Sequence, residues 1–168
     1  MISNIDQISL LSESLGALLQ ARKWVVTTAE SCTGGGIAQA ITTVAGSSQW
    51  FSQGFITYSN QSKTQLLDVD AQLLEDQGAV SQAVVEAMVE GVSRMTLADC
   101  TIVVSGIAGP TGGTANKPVG TVWIAWKCNH MPVVSQCFLF SGDRESVRNQ
   151  SVIAALKNMI DLIRKNTV

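Results

Sequence analysis

Apolar residues recur at helical spacing from the start of the chain. Ile5, Ile8, Leu11, Leu15, Leu18 and Leu19 fall on one face, which predicts an amphipathic helix ending near Arg22-Lys23. Val25 to Thr28 is a short β-branched run and predicts a strand, followed by a glycine-rich turn at Thr33 to Gly36. Ile37, Ala38, Ala40, Ile41 and Val44 restore the helical period, which Ala45-Gly46-Ser47-Ser48 closes. Phe51 to Tyr58 alternates as a second strand, and Ser59-Asn60 caps a helix from Gln61 to about Leu67. Leu73 and Leu74 predict one more helical turn. Ser81 caps a helix over Gln82 to Met95, with Val84, Val85, Met88, Val89 and Val92 on its buried side.

Thr101 to Val104 reads as a buried strand that delivers a second glycine-rich loop, Ser105 to Gly113. Val119 to Lys127 and Val133 to Phe140 predict an antiparallel hairpin around Cys128 to Pro132. The last helix runs from about Arg144 to Arg164, with Val147, Ile153, Leu156, Ile160 and Ile163 inward. This alternation predicts a three-layer α/β/α sandwich on a mixed, mostly parallel sheet. Ligands of such sheets lie over the carboxyl ends of the strands, and both glycine loops follow a strand directly.

Composition narrows the function classes. At 168 residues the chain reads as one domain over 1–168, and 46% hydrophobic with 14% charged residues describes a packed core. A net charge of -2 with no block of like charge gives no case for nucleic acid or an acidic membrane. No apolar run is long enough to span a bilayer, and no signal peptide opens the chain, so the expected location is cytoplasmic. Four cysteines without a C-x-x-C and a single histidine, His130, are poor material for a metal site. No metal and no cofactor are expected.

The chemistry concentrates around the first glycine turn. A strand-turn-helix junction aims backbone N–H groups at whatever sits above it, which suits an anion or a developing oxyanion. Ser31 lies where the strand ends. The bland alternative is a glycine turn that only lets helix and strand pack closely. No phosphate-loop, dinucleotide or G-x-S-x-G motif is present. Cys32 neighbours the helix N-terminus, which favours a thiolate, but it ranks below Ser31 as nucleophile.

A serine needs a base. His130 lies in a hairpin turn far along the chain, so a lysine, tyrosine or carboxylate is the alternative. Lys63 and Tyr58 follow the second strand at the same sheet edge as Ser31; taken alone they are a solvated lysine and a core-edge aromatic. Glu30 precedes Ser31 directly, and successive strand residues point to opposite faces, so the two are not expected to pair. Arg144 and Arg148, spaced i,i+4 at the start of the last helix, suit a phosphate or, equally, Asp143 and Glu145.

Five blocks carry a resemblance: Thr28-Ala-Glu-Ser-Cys-Thr-Gly-Gly35, Gly54-Phe-Ile-Thr-Tyr-Ser-Asn60 with Lys63, Ser105-Gly-Ile-Ala-Gly-Pro-Thr-Gly-Gly113, Lys117-Pro-Val-Gly-Thr-Val122 and Gly142-Asp-Arg-Glu-Ser-Val-Arg148. In order and over nearly the whole chain, they resemble the CinA C-terminal domain family, which includes stand-alone nicotinamide-nucleotide amidohydrolases. The resemblance implies an α/β/α fold and hydrolysis of nicotinamide mononucleotide to nicotinate mononucleotide and ammonia in pyridine-nucleotide salvage. It places the catalytic serine on Ser31, with Lys63 as base and Tyr58 bridging or orienting the pair. It implies an oxyanion held by backbone N–H groups of Thr33, Gly34 and Gly35. The substrate phosphate would lie near Ser105, Gly106, Gly109, Gly112 and Arg144 or Arg148. The partner is then a small pyridine nucleotide, and a homo-oligomer is left open. Some relatives lack the activity, so a catalytically silent nucleotide-binding domain is the competing expectation.

Overall fold

Residues 3–165 are described by the computed structural model. Helix α1 (Asn4–Arg22) leads into strand β1 (Val26–Glu30), helix α2 (Gly36–Thr42) and, after a short 3-10 turn, strand β2 (Phe51–Ile56). Helices α3 (Asn60–Leu67), α4 (Ala71–Gln77) and α5 (Gln82–Met95) precede strand β3 (Cys100–Gly106). The hairpin β4 (Thr121–Cys128) and β5 (Val134–Leu139) and helix α6 (Arg144–Lys165) complete the order.

The sheet runs β2-β1-β3-β4-β5. β1 is parallel to β2 and to β3, whereas β3–β4 and β4–β5 are antiparallel. The expected α/β/α sandwich is present, but the sheet is evenly mixed rather than mostly parallel. The reason is the hairpin, which adds two antiparallel pairings beside the two made through crossover helices.

Strand alternation divides the interior into two layers. Ile102, Val104, Ile124 and Trp126 point to the side covered by α1, α2 and α6, where Leu15, Leu19, Ile41, Leu156 and Met159 are buried. Ala29, Val103 and Ala125 point to the other side, under Leu67 of α3, Leu74 of α4 and the Val84–Val92 face of α5. Ile5, expected to face the core, is exposed and borders an open space between α1, α2 and the start of α6 instead of packing into the core.

Helix α3 reaches its place through a close approach to α5. Gly91 lies against the Leu67 carbonyl, where a Cβ would collide with backbone. Gly91→Ala is therefore expected to destabilise the fold by about 1–3 kcal/mol, measured by denaturant unfolding. A neutral result would mean that α3 can shift without loss.

Three parallel strands end at one edge. The Ser31 amide donates to the Val104 carbonyl and the Thr57 amide to the Glu30 carbonyl, so the exits of β1, β2 and β3 are locked side by side. That edge carries the site.

Candidate active site

Ser31 stands one residue beyond β1, at the entrance to the 31–35 turn. Across from it, the α3 helix begins with a capping box between Ser59 and Ser62, which fixes the first helical turn on the exit of β2. Lys63 follows directly and turns inward. It is 1% exposed, and its Nζ lies 3.2 Å from Ser31 Oγ and donates to the Thr57 carbonyl at 2.8 Å. Burial pushes the Lys63 pKa below the ordinary lysine value, since an ammonium loses its hydration there. No carboxylate forms an ion pair with it among the described residues. A lysine in that position is biased toward the neutral amine, the form that can accept a proton from a serine hydroxyl.

The other candidates separate clearly. Cys32 is buried, and desolvation pushes its thiol up to about 12, outweighing the lowering effect of its own backbone N–H. The expectation of a helix-activated thiolate is corrected: Cys32 is a protonated thiol at neutral pH. His130 is exposed in the β4–β5 turn, next to the end of the sheet where Cys128 pairs with Cys100, opposite the end that holds Ser31. It has no part in the site.

Tyr58 is 58% exposed, and its hydroxyl accepts from Arg144 Nη2 at 2.7 Å. It makes no hydrogen bond to Ser31 or Lys63 among the described residues, so the bridging geometry implied by the resemblance is absent. Arg144 also donates through Nη1 to the Gly109 carbonyl at 2.8 Å, and so joins Tyr58 to the second glycine loop. Arg148 Nη2 donates to the Thr33 carbonyl at 2.9 Å and braces the first turn from α6.

The turn amides are distributed differently from the sequence expectation. Gly34 N–H donates to the Ser31 carbonyl, Gly36 N–H to the Thr33 carbonyl, and Gly35 N–H to Glu30 Oε2 at 3.1 Å. Gly34 and Gly35 are thus occupied within the turn, and the oxyanion role expected of their amides is corrected. The amides of Cys32 and Thr33 have no carbonyl or carboxylate partner among the described residues. Glycine is required at Gly34 and Gly35 for another reason: their φ angles are 58° and 95°.

Ser31, Cys32, Tyr58, Asn60, Lys63, Ser105 and Arg144 line one cavity of about 230 Å³, with Ala79, Val80, Gly106 and Ala108 completing it. Ser105 is buried and its hydroxyl donates to the Ala79 carbonyl at 2.8 Å, so it ties two walls together. Gly109 joins through its carbonyl, while Gly112 is exposed and borders neither this cavity nor the larger one nearby. That larger space, about 730 Å³, lies between α1, α2 and the start of α6 and is bordered by Thr33, Arg144 and Arg148. Neither Ser31 nor Lys63 lines it; that pair lies in the smaller cavity, and Arg144 borders both. Among the described residues no cluster of histidine, cysteine or carboxylate groups could hold a metal. Ala79 and Val80 have no local sequence signature that marks them as cavity residues, and Asn60 carries one only as a helix-capping position.

Fold and site define a class: an α/β/α domain presenting a serine beside a buried lysine at the carboxyl edge of parallel strands. The chain belongs to the CinA C-terminal domain family, whose model matches residues 8–163. It is 53% identical to the nicotinamide-nucleotide amidohydrolase PncC of Pseudomonas putida, over 94% of this chain and 98% of that one. Against the protein of the same name from Escherichia coli K12 the identity is 46%, over 96% and 98%. Among solved structures, the competence/damage inducible protein CihA from Agrobacterium tumefaciens superposes with a TM-score of 0.91 at 38% identity, covering 93% of this chain and 95% of that one.

Proposed function

We propose that this protein hydrolyses the carboxamide of nicotinamide mononucleotide, giving nicotinate mononucleotide and ammonia, with Ser31 as nucleophile and Lys63 as base. The observation that carries the reading is the 3.2 Å contact between Ser31 Oγ and a buried Lys63 Nζ that has no ion pair among the described residues. It is supported by close likeness to proteins named for this reaction.

Ser31 Oγ attacks the carboxamide carbon as Lys63 takes its proton. The negative charge that develops on the carbonyl oxygen is met by the Cys32 and Thr33 amides, the two turn donors with no carbonyl or carboxylate partner among the described residues. Lys63 returns the proton to the departing nitrogen, which leaves as ammonia. Water then attacks the acyl-serine, with Lys63 again as base, and releases the nicotinate carboxylate. The pyridine ring suits the 230 Å³ cavity, and ribose and phosphate extend toward Arg144 at its rim. Arg144 has two of its five N–H groups committed to Gly109 and Tyr58, leaving donors for a phosphate. Arg148 is the weaker candidate, since it already braces Thr33.

Ammonia release from nicotinamide mononucleotide by the purified protein tests the reading, and no release above background would reject it. Nicotinamide riboside, lacking the phosphate, is expected to be at least about tenfold poorer in kcat/KM, the worth of one charge-assisted hydrogen bond. Arg144→Ala should erase that preference. If Arg144→Ala leaves it intact, the phosphate is held elsewhere.

A further inference from the structure

Glu30 is the second buried ionisable side chain at this edge, and the proposed reaction does not consume it. It is 1% exposed, and no lysine or arginine pairs with it among the described residues. Its carboxylate accepts from donors of the turn that follows it and of the first residues of α2. Oε2 accepts from Thr33 Oγ1 at 2.6 Å, from Gly35 N–H at 3.1 Å and from Ile37 N–H at 3.0 Å; Oε1 accepts from Ala38 N–H at 2.8 Å. One side chain therefore gathers the turn and the first residues of α2 onto the end of β1, on either side of which the chain is pinned to β2 and β3.

We propose that Glu30 is a positioning residue for the amide hydrolysis, acting through the 31–35 turn to set Ser31 Oγ and the Cys32 and Thr33 amides relative to Lys63. The assignment rests on the Ser31–Lys63 reading. Glu30 faces away from Ser31 along the strand, so it exchanges no proton in the reaction. It also fills the N-terminus of α2 with a carboxylate. The anionic end of a substrate is thereby denied the donors that a glycine turn before a helix would otherwise offer, and is left to Arg144. The effect on rate follows from distance: a displacement of about 1 Å between nucleophile, base and oxyanion donors costs about 100-fold.

Glu30→Gln is the informative change because all four groups facing the carboxylate are donors. Whichever way the new amide is turned, its NH2 confronts an N–H or O–H, so the turn must move. The expected result is a folded protein with kcat lowered about 100-fold, KM for nicotinamide mononucleotide changed less than about threefold, and an unchanged midpoint of the pH profile, since Lys63 still supplies the base. Glu30→Asp keeps an all-acceptor group one methylene shorter and should lose about tenfold in kcat, which keeps the test available if the glutamine variant does not fold. Wild-type kcat per folded molecule in either variant, judged by circular dichroism, would overturn the assignment, as would a loss of turnover equal to the unfolded fraction. A shifted pH midpoint would make Glu30 part of the titrating machinery instead, and would also overturn it. An active Ser31→Ala enzyme would instead defeat the underlying reading; a dead Ser31→Ala beside a fully active Glu30→Gln defeats the positioning role alone.

Discussion

Ser31→Ala is expected to reduce kcat for nicotinamide mononucleotide by about 10⁴-fold or more while leaving the fold in place. The size follows from the chemistry: without the hydroxyl there is no covalent intermediate, and only binding and oxyanion donors remain to assist water. The fold survives because the change deletes one oxygen whose recorded side-chain partner, Lys63 Nζ, keeps the Thr57 carbonyl. A net loss of about 1 kcal/mol or less in unfolding free energy is expected. Cys32→Ala, one residue on, is the internal control. Its thiol is buried and protonated at neutral pH, so turnover should stay within a few-fold of wild type. A Ser31→Ala enzyme retaining a tenth of the normal rate would remove the nucleophile assignment. A dead Cys32→Ala enzyme beside it would move the chemistry to sulfur.

The elements were legible where apolar spacing alone decides them. Helix α5 occupies the predicted Gln82–Met95, because Ser81 caps it and its valines repeat without interruption. Strand β1 was read from Val25 to Thr28 but runs Val26–Glu30, since a charged residue in a buried strand breaks the apolar signal. What makes that charge tolerable is the set of turn donors around Glu30, several residues further along the chain. A glutamate ending a strand just before a glycine turn and a helix is itself a cue, because the helix N-terminus favours an anion there. The shared sheet edge puts Ser31 and Lys63 in one neighbourhood, but their pairing is implied only by the family resemblance, and the contact between Tyr58 and Arg144 joins residues 86 apart and has no local signature. The amides of Gly34 and Gly35 looked available for the same reason: sequence shows which residues can donate, not which acceptor reaches them first.

Turnover should rise with pH through an apparent midpoint below the ordinary lysine pKa of about 10.4. Lys63 must be neutral to take the Ser31 proton, and burial lowers its pKa, so the active fraction grows as pH increases through that lowered value. The same shift fixes the sign for stability. Between the folded and unfolded pKa values of this lysine, the unfolded chain binds more protons, so the Lys63 contribution becomes more favourable with rising pH across that window. Lys63→Arg separates a base from a fixed charge. A guanidinium stays protonated at every accessible pH, and it is planar and bulkier than the amine that lies against Ser31 Oγ and the Thr57 carbonyl. It should therefore lose turnover nearly as completely as Lys63→Ala, by about 10³-fold or more, and the ascending limb of the pH profile should vanish from what remains. If Lys63 serves only as a positive charge for substrate, Lys63→Arg would keep most of the rate and the same pH dependence. Steady-state kinetics of the two variants from neutral to alkaline pH distinguishes these outcomes, because only proton transfer requires a neutral form of the side chain.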